Sequence, residues 1–179
     1  FYSYSATRLQ ENALFVALLM EELAPVVNTD ARAAYTAGLL RSAGKIALDT
    51  AAQRDLRGRP VPPMAESGIL DWENALFGLG NPRVAESMLR GWKFPFEVYI
   101  AIRDHYLEGL SVEAVIEAKL LNFAAATAEA RGYGLEGESV YWARHSARAR
   151  EKIPLDDDTL RALVERVAAR FERMRASLG

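Results

Sequence analysis

The sequence contains no cysteine. Disulfide bridges and thiolate metal sites are therefore excluded, and the composition fits a reducing compartment, so we expect a cytoplasmic protein. Histidine is also scarce, with only His105 and His145 in 179 residues. Because metal centres in enzymes commonly combine several histidines with carboxylates, this count leaves little material for a histidine-based cluster.

Long apolar runs are missing as well. No run approaches the ~20 residues that span a bilayer, and no signal peptide is present, so we predict no membrane association. The formal net charge of -2 provides no basic surface for a polyanion, so we predict no nucleic-acid partner. The chain begins with Phe1 rather than methionine, and we expect it to be part of a longer protein.

Helical periodicity dominates what is present. Apolar spacing predicts a helix over 9–24 that Pro25 closes, and Asp30 is a candidate cap for a helix over 31–42 that ends near Gly44. Further helices are predicted over 72–77, 82–92, 95–107, 111–131 and 159–178, and a loop over 53–63. We find no β-hairpin or parallel-strand pattern, and therefore predict an all-α fold.

Several segments occur in an order and spacing that resemble the HD-related output domain (HDOD) family, a divergent branch of the HD-domain metal-dependent phosphohydrolases. The segments are LQEN at 9–12, AYTAGLLRSAGKIAL at 34–48, ENALFG at 73–78, NPRVAE at 81–86, WKFP at 92–95, AIRDHY at 101–106, AKLLN at 118–122 and GYG at 132–134. The resemblance implies an HD-domain-like helical bundle over residues 1–134, without the family's usual N-terminal lobe. We expect residues 135–179 to form a C-terminal helical extension packed on the same domain.

The resemblance also identifies the positions where HD hydrolases carry their metal ligands. In this sequence they are Glu11, Arg41, Ser42, Asn81, His105, Tyr106 and Asn122. HD chemistry needs histidines and aspartates that converge on divalent cations and activate a bound water. Only His105 is still a strong ligand, whereas Arg41 is a permanent cation that repels a metal. We therefore expect a degenerate site with no metal, no cofactor and no catalytic residue.

A salt bridge can replace the metal at such a site. We predict an Arg41–Glu11 ion pair there, with Glu86 as a second candidate partner, because pairing offsets the cost of burying a charge. The alternative is an Arg41 side chain that extends into solvent. For His105 we favour a hydrogen-bonded core histidine over a leftover ligand.

Two other features allow alternative interpretations. Trp92, Phe94 and Phe96 can form either an aromatic binding platform or the packed hinge between two helices, and we favour the hinge. The last predicted helix carries a coiled-coil-like apolar seam, which can pack on the chain's own core or pair with a second copy in a homodimer. The acidic run 156–158 is predicted to cap this helix.

The resemblance implies a non-catalytic regulatory module of bacterial signal transduction. It would bind a protein partner, an adjacent signalling domain or a small ligand, the last in the vacated metal site. The alternative is a metal-dependent phosphohydrolase that acts on nucleotides or cyclic dinucleotides through an altered site. An intact metal cluster would separate the two, and the sequence offers none.

Overall fold

The structure is a computed structural model that describes residues 2–55, 64, 68–109 and 114–178. Its helices are α1 (Ala6–Leu23), α2 (Ala31–Leu40), α3 (Ala43–Asp55), α4 (Ile69–Phe77), α5 (Asn81–Gly91), α6 (Phe96–Asp104), α7 (Ile116–Ala130), α8 (Ser139–Arg150) and α9 (Asp157–Leu178). A 3-10 turn, Ala24–Val27, follows α1. No strand occurs within the described residues, so the predicted all-α fold class is confirmed.

Helix α1 lies at the centre of the bundle. Its residues 14–20 are all buried, and α2, α7 and α9 pack against it. A helix that is apolar on nearly every side can be stable only when neighbours surround it, and α1 has such neighbours. Ser5 begins the helix, because its hydroxyl accepts a hydrogen bond from the Arg8 amide at 3.1 Å.

The predicted helix over 31–42 is interrupted. Asp30 caps α2 as predicted, through a 2.7 Å hydrogen bond from the Ala33 amide. However, the chain turns at 41–42 and starts α3 at once, so Gly44 lies inside a helix rather than at its end. A Cβ atom on Gly44 would lie 1.9 Å from the Asn81 carbonyl oxygen. The glycine therefore permits close packing of α3 against the start of α5.

The predictions for the other connecting segments are only partly correct. Residues 53–55 of the predicted loop belong to α3, and residues 56–63 lie outside the described residues. Ser111, where the predicted helix over 111–131 begins, also lies outside them. Helix α8 was not predicted, because its large apolar residues are adjacent in sequence and only Tyr141, Trp142 and Ala149 are buried. The cap predicted before α9 is present, since Asp156 accepts a 2.8 Å hydrogen bond from the Thr159 amide.

The C-terminal helices pack on the rest of the bundle. Leu160, Val164 and Phe171 are buried, and the Phe171 ring lies 5.5 Å from that of Phe15 on α1. The apolar seam of α9 therefore faces the core of its own chain. Helix α8 packs against α7 in the same way. Together these contacts bring the residues around 138 close to the end of α2.

Candidate functional site

Arg41 is a fully buried charged residue, with a relative exposure of 0%. It follows α2 as the C-cap residue, and its side chain points into the bundle. Two guanidinium nitrogens donate to the two carboxylate oxygens of Glu138, at 3.1 and 2.8 Å. The other face donates to the Asn12 side-chain oxygen at 3.1 and 2.7 Å. A bidentate carboxylate and an amide thus satisfy a fully buried cation.

Glu138 is the carboxylate that balances this charge. It precedes α8 as the N-cap residue and also binds the ammonium of Lys45 and, at 2.7 Å, the hydroxyl of Tyr106. Burial alone would raise the pKa of Glu138, but the charges of Arg41 and Lys45 outweigh it and hold that pKa well below its usual range. Glu138 is therefore a carboxylate anion with every oxygen engaged.

His105 lies on the other side of the guanidinium. Its Nδ1 contacts the Ile102 carbonyl oxygen at 2.7 Å, which assigns the proton to Nδ1. The unprotonated Nε2 then accepts from Arg41 at 3.3 Å. Burial and the Arg41 charge lower the pKa of His105 to about 3, so the ring is neutral. This geometry is that of a hydrogen-bonded core histidine, as the sequence analysis favours.

A second buried carboxylate, Glu73 on α4, completes the charge balance. It accepts hydrogen bonds from the Tyr2 hydroxyl at 2.6 Å and from the Asn81 amide nitrogens at 2.5 to 3.1 Å. Burial raises the pKa of Glu73, and burial lowers the pKa of Lys45. We call the set Asn12, Arg41, Lys45, Glu73, Asn81, His105, Tyr106 and Glu138 the Arg41 cluster.

The family-derived positions are only partly brought together. Arg41, Asn81, His105 and Tyr106 belong to the cluster. Asn122 borders it, and its side chain donates to the His105 carbonyl oxygen at 2.9 Å. Ser42 is buried beside the cluster, and its hydroxyl has no hydrogen-bond partner among the described residues.

The predicted partners of Arg41 are wrong. Glu11 lies on the outer side of α1 and pairs with Arg8 and Arg175. Glu86 pairs with Arg83 and Arg103 on the surface of α5. The predicted ion pair of Arg41 does exist, but with Glu138, which lies outside the segments that carry the family resemblance.

Asn12, Lys45, Glu73 and Glu138 are the cluster residues that the sequence analysis did not place in the site. Asn12 had a signal, because it lies three residues after Leu9 and four before Val16, on the apolar side of the predicted helix. Glu138 had no such sequence signal, because nothing in its local sequence distinguishes it from Glu136, which is exposed. Its role comes from a contact across 97 positions of the chain.

The side chains do not fit a divalent cation. The Arg41 guanidinium fills the space between Asn12, His105 and Glu138, and the Lys45 ammonium lies on the same carboxylate. Within the described ranges, no three histidine, aspartate or glutamate side chains are grouped as metal ligands would be. The cluster is a neutralised ion-pair network.

The aromatic residues of the bundle include buried and exposed ones. Tyr106 and Trp142 stack at 5.3 Å and shield the cluster, with the Arg41 guanidinium 5.9 Å from the Trp142 ring. Trp92 and Phe96 are 61% and 60% exposed. This exposure contradicts the packed hinge between two helices that we favoured for these residues. Phe94 alone of that group is partly buried against the core.

The chain is similar to one protein family and to one solved structure described here. The family model of the HDOD domain matches residues 2–107. A crystal structure of a "Putative phosphohydrolase" from Shewanella amazonensis SB2B is similar, with a TM-score of 0.63 and 21% sequence identity. The alignment covers 93% of this chain and 61% of that one, so the chain spans less than two thirds of the solved protein. At this identity the likeness shows a shared fold and no more.

None of the curated proteins compared with the chain matches it. Among the residues that the structure describes, no helix combines the length and apolar character required to cross a membrane.

Proposed function

The chain belongs to the HDOD domain family, and on this basis we propose that it is a non-catalytic regulatory module of bacterial signal transduction. It would act by binding a protein partner or a small ligand. The observation that carries the proposal is the buried Arg41–Glu138 ion pair, which stands among the positions where the resemblance places metal ligands.

Electrostatics explains why this pair argues against hydrolysis. A dication about 4 Å from one guanidinium is repelled by about 8 kcal/mol at an effective dielectric constant of about 20. The Lys45 ammonium would add repulsion, and the attraction of Glu138 is already shared between the two resident cations. Without a bound metal, an HD-type site lacks both its activated water and its Lewis acid.

The scaffold itself is suited to binding. The cluster joins residues of α1, α3, α4 and α5 with residues that flank α2, α6 and α8, so it fixes the relative positions of these helices. Exposed Trp92 and Phe96 offer large rigid contact surfaces of the kind that dominates protein interfaces. A rigid bundle with exposed anchors needs no chemistry of its own to transmit a signal.

A metal and turnover assay tests the proposal. The purified protein is incubated with Mn²⁺ or Fe²⁺, desalted, and assayed for metal by mass spectrometry and for hydrolysis of bis(p-nitrophenyl) phosphate. We expect no retained metal and no turnover. Glu138→Gln and His105→Gln are the control variants, because turnover that survives both changes would come from a contaminant. Stoichiometric metal, with turnover lost in both variants, would favour a phosphohydrolase instead.

A further inference from the structure

Large aromatic side chains are exposed where α5 ends and α6 begins. Trp92 follows α5 as its C-cap residue, Phe96 begins α6, and both are more than half exposed. Every residue from 90 to 97 is exposed except Phe94, which is partly buried against the core. We call residues 90–97 the aromatic corner. We propose that the aromatic corner binds a short acidic segment of a partner protein, through an aromatic or aliphatic anchor on that segment.

The backbone of the aromatic corner is already ordered. The Phe94 amide donates to the Leu89 carbonyl oxygen at 3.0 Å, and the Lys93 amide donates to the Arg90 carbonyl oxygen at 3.1 Å. These two hydrogen bonds close the end of α5 as a Schellman motif. A surface that is ordered before binding loses little conformational entropy when a partner docks on it.

Lys93 has an unusual backbone conformation within this motif, with a φ of 60°. Glycine is the usual residue at this position of a helix end, because a Cβ atom makes the left-handed conformation unfavourable. The other described non-glycine residues with positive φ have a local reason, since asparagine tolerates it at Asn28 and Leu107 is buried in the core. Lys93 is exposed, and no contact of its side chain within the described ranges accounts for a lysine there. Backbone strain that the fold does not reward is typical of binding positions.

The charges of the aromatic corner are complementary to an acidic segment. Arg90 and Lys93 are exposed, and neither side chain has an ion-pair or hydrogen-bond partner in the part of the chain that the structure describes. Two cations and one carboxylate, Glu97, give the corner a net charge of +1, whereas the whole chain carries -2. Acidic residues beside an apolar anchor would pair with these cations while the anchor covers the aromatic rings.

The size of the aromatic surface favours a segment over a folded domain or a second copy of the chain. An aromatic side chain offers about 150–250 Å² for burial, so Trp92 and Phe96 together leave roughly 200–300 Å² exposed. A stable interface between folded proteins buries about 800 Å² on each partner, which is several times larger. Basic segments that bind anionic lipid carry about four to eight cations, whereas this corner has two. The inference rests on the proposed binding function and deepens it, by naming the class of partner and the place where it docks.

Three six-residue peptides test the proposal. EEFLEE carries apolar anchors between acidic residues, KKFLKK reverses the charge, and EESSEE removes the anchors. Each is titrated into the isotope-labelled whole chain, and the backbone amide resonances of the aromatic corner are followed by NMR. We expect EEFLEE to shift these resonances and to bind at least about tenfold more tightly than either other peptide at about 50 mM salt. Raising the salt to about 500 mM should reduce the preference for EEFLEE over KKFLKK, because salt screens exposed charges.

Variants separate the aromatic and the charged contributions. Trp92→Ala should weaken EEFLEE binding at least about tenfold, because a truncated tryptophan anchor is commonly the costliest change in an interface. Lys93→Gly should weaken it about threefold and yet raise the thermal midpoint by about 3 °C, because glycine accepts the left-handed conformation. Arg90→Glu combined with Lys93→Glu should reverse the preference toward KKFLKK. Arg166→Glu combined with Arg173→Glu makes the same charge change at exposed residues of α9 and should leave the preference unchanged.

Several results would overturn the proposal. It fails if EEFLEE does not shift the aromatic corner, if EESSEE binds equally tightly, or if the α9 variant loses the preference to the same degree. Sedimentation with phosphatidylserine vesicles is run in parallel. Vesicle binding that Arg90→Glu with Lys93→Glu abolishes, in the absence of EEFLEE binding, would assign the corner to a lipid surface instead. All these results leave the metal and turnover assay unaffected, so failure of this inference is distinguishable from failure of the proposed function.

Discussion

Replacing Glu138 with glutamine is the sharpest perturbation of the Arg41 cluster. The change keeps the size and shape of the side chain but removes its negative charge. Arg41 and Lys45 are then left fully buried beside neutral partners, with Glu73 as the remaining carboxylate of the cluster. Breaking a buried ion pair by removing one partner typically costs about 3–5 kcal/mol, because the other charge stays uncompensated.

The expected loss is large enough to measure in either of two ways. At about 2–4 °C per kcal/mol for a chain of this length, a loss of about 4 kcal/mol lowers the thermal midpoint by about 10 °C. Urea unfolding monitored by circular dichroism should show the same loss with an unchanged slope. Glu136→Gln is the matched control, because Glu136 is two positions away and exposed, and it should change stability by no more than about 0.5 kcal/mol.

A double variant tests whether the two residues act as a pair. Arg41→Met combined with Glu138→Gln removes one charge of each sign, so its effect should be clearly smaller than the sum of the two single effects. If Glu138→Gln costs no more than Glu136→Gln, or if the two single effects simply add, Arg41 and Glu138 are not paired and the account of the site fails.

Three further predictions follow from the same geometry. Because the pKa of His105 is about 3 in the folded chain and 6.5 when unfolded, the unfolded state binds the additional proton as pH falls. Between pH 6.5 and pH 5 this should cost about 1.6 kcal/mol of stability. Urea titrations across that range should show the loss, with His105→Gln abolishing it and His145→Gln retaining it. Gly44→Ala should destabilise the fold by more than about 2 kcal/mol in thermal unfolding, because the new Cβ meets the Asn81 carbonyl oxygen. Gly91→Ala should stabilise it by up to about 1 kcal/mol, since a Cβ there has nothing within 4 Å among the described residues. An equal loss in both glycine variants would contradict the close α3–α5 packing. Trp92→Phe should remove most of the acrylamide-quenchable tryptophan fluorescence, because Trp72 and Trp142 are buried. Quenching that persists in the variant would show that Trp72 or Trp142 is accessible, and would contradict their burial.

The helical framework was largely predictable because its signals are local. Asp30 and Asp156 cap the helices that follow them, and the apolar period of α1 is visible over several turns. Helix α8 lacks this signal, since most of its surface faces solvent and its two buried aromatic residues are adjacent in sequence. Its position depends on packing against α7, which only the folded chain shows.

The site illustrates the limit of local reasoning. The sequence analysis predicted an ion pair of Arg41 with Glu11 or Glu86, and Arg41 does form an ion pair, but with Glu138. The partner was not predictable, because the chain offers many acidic residues and the choice depends on how α8 packs. Neighbouring residues of a helix point about 100° apart. Asn12 therefore reaches Arg41, while Glu11 turns outward to Arg175.

The central claim is that a cation of the protein itself replaces the metal at this site. Electron paramagnetic resonance of Mn²⁺ titrated into the whole chain tests it most directly, because free and bound manganese give different signals. The account predicts that the free-ion signal rises from the first addition, as it does in buffer alone. Loss of that signal up to one equivalent, relieved by Glu138→Gln or His105→Gln, would place a metal among these side chains and contradict the account.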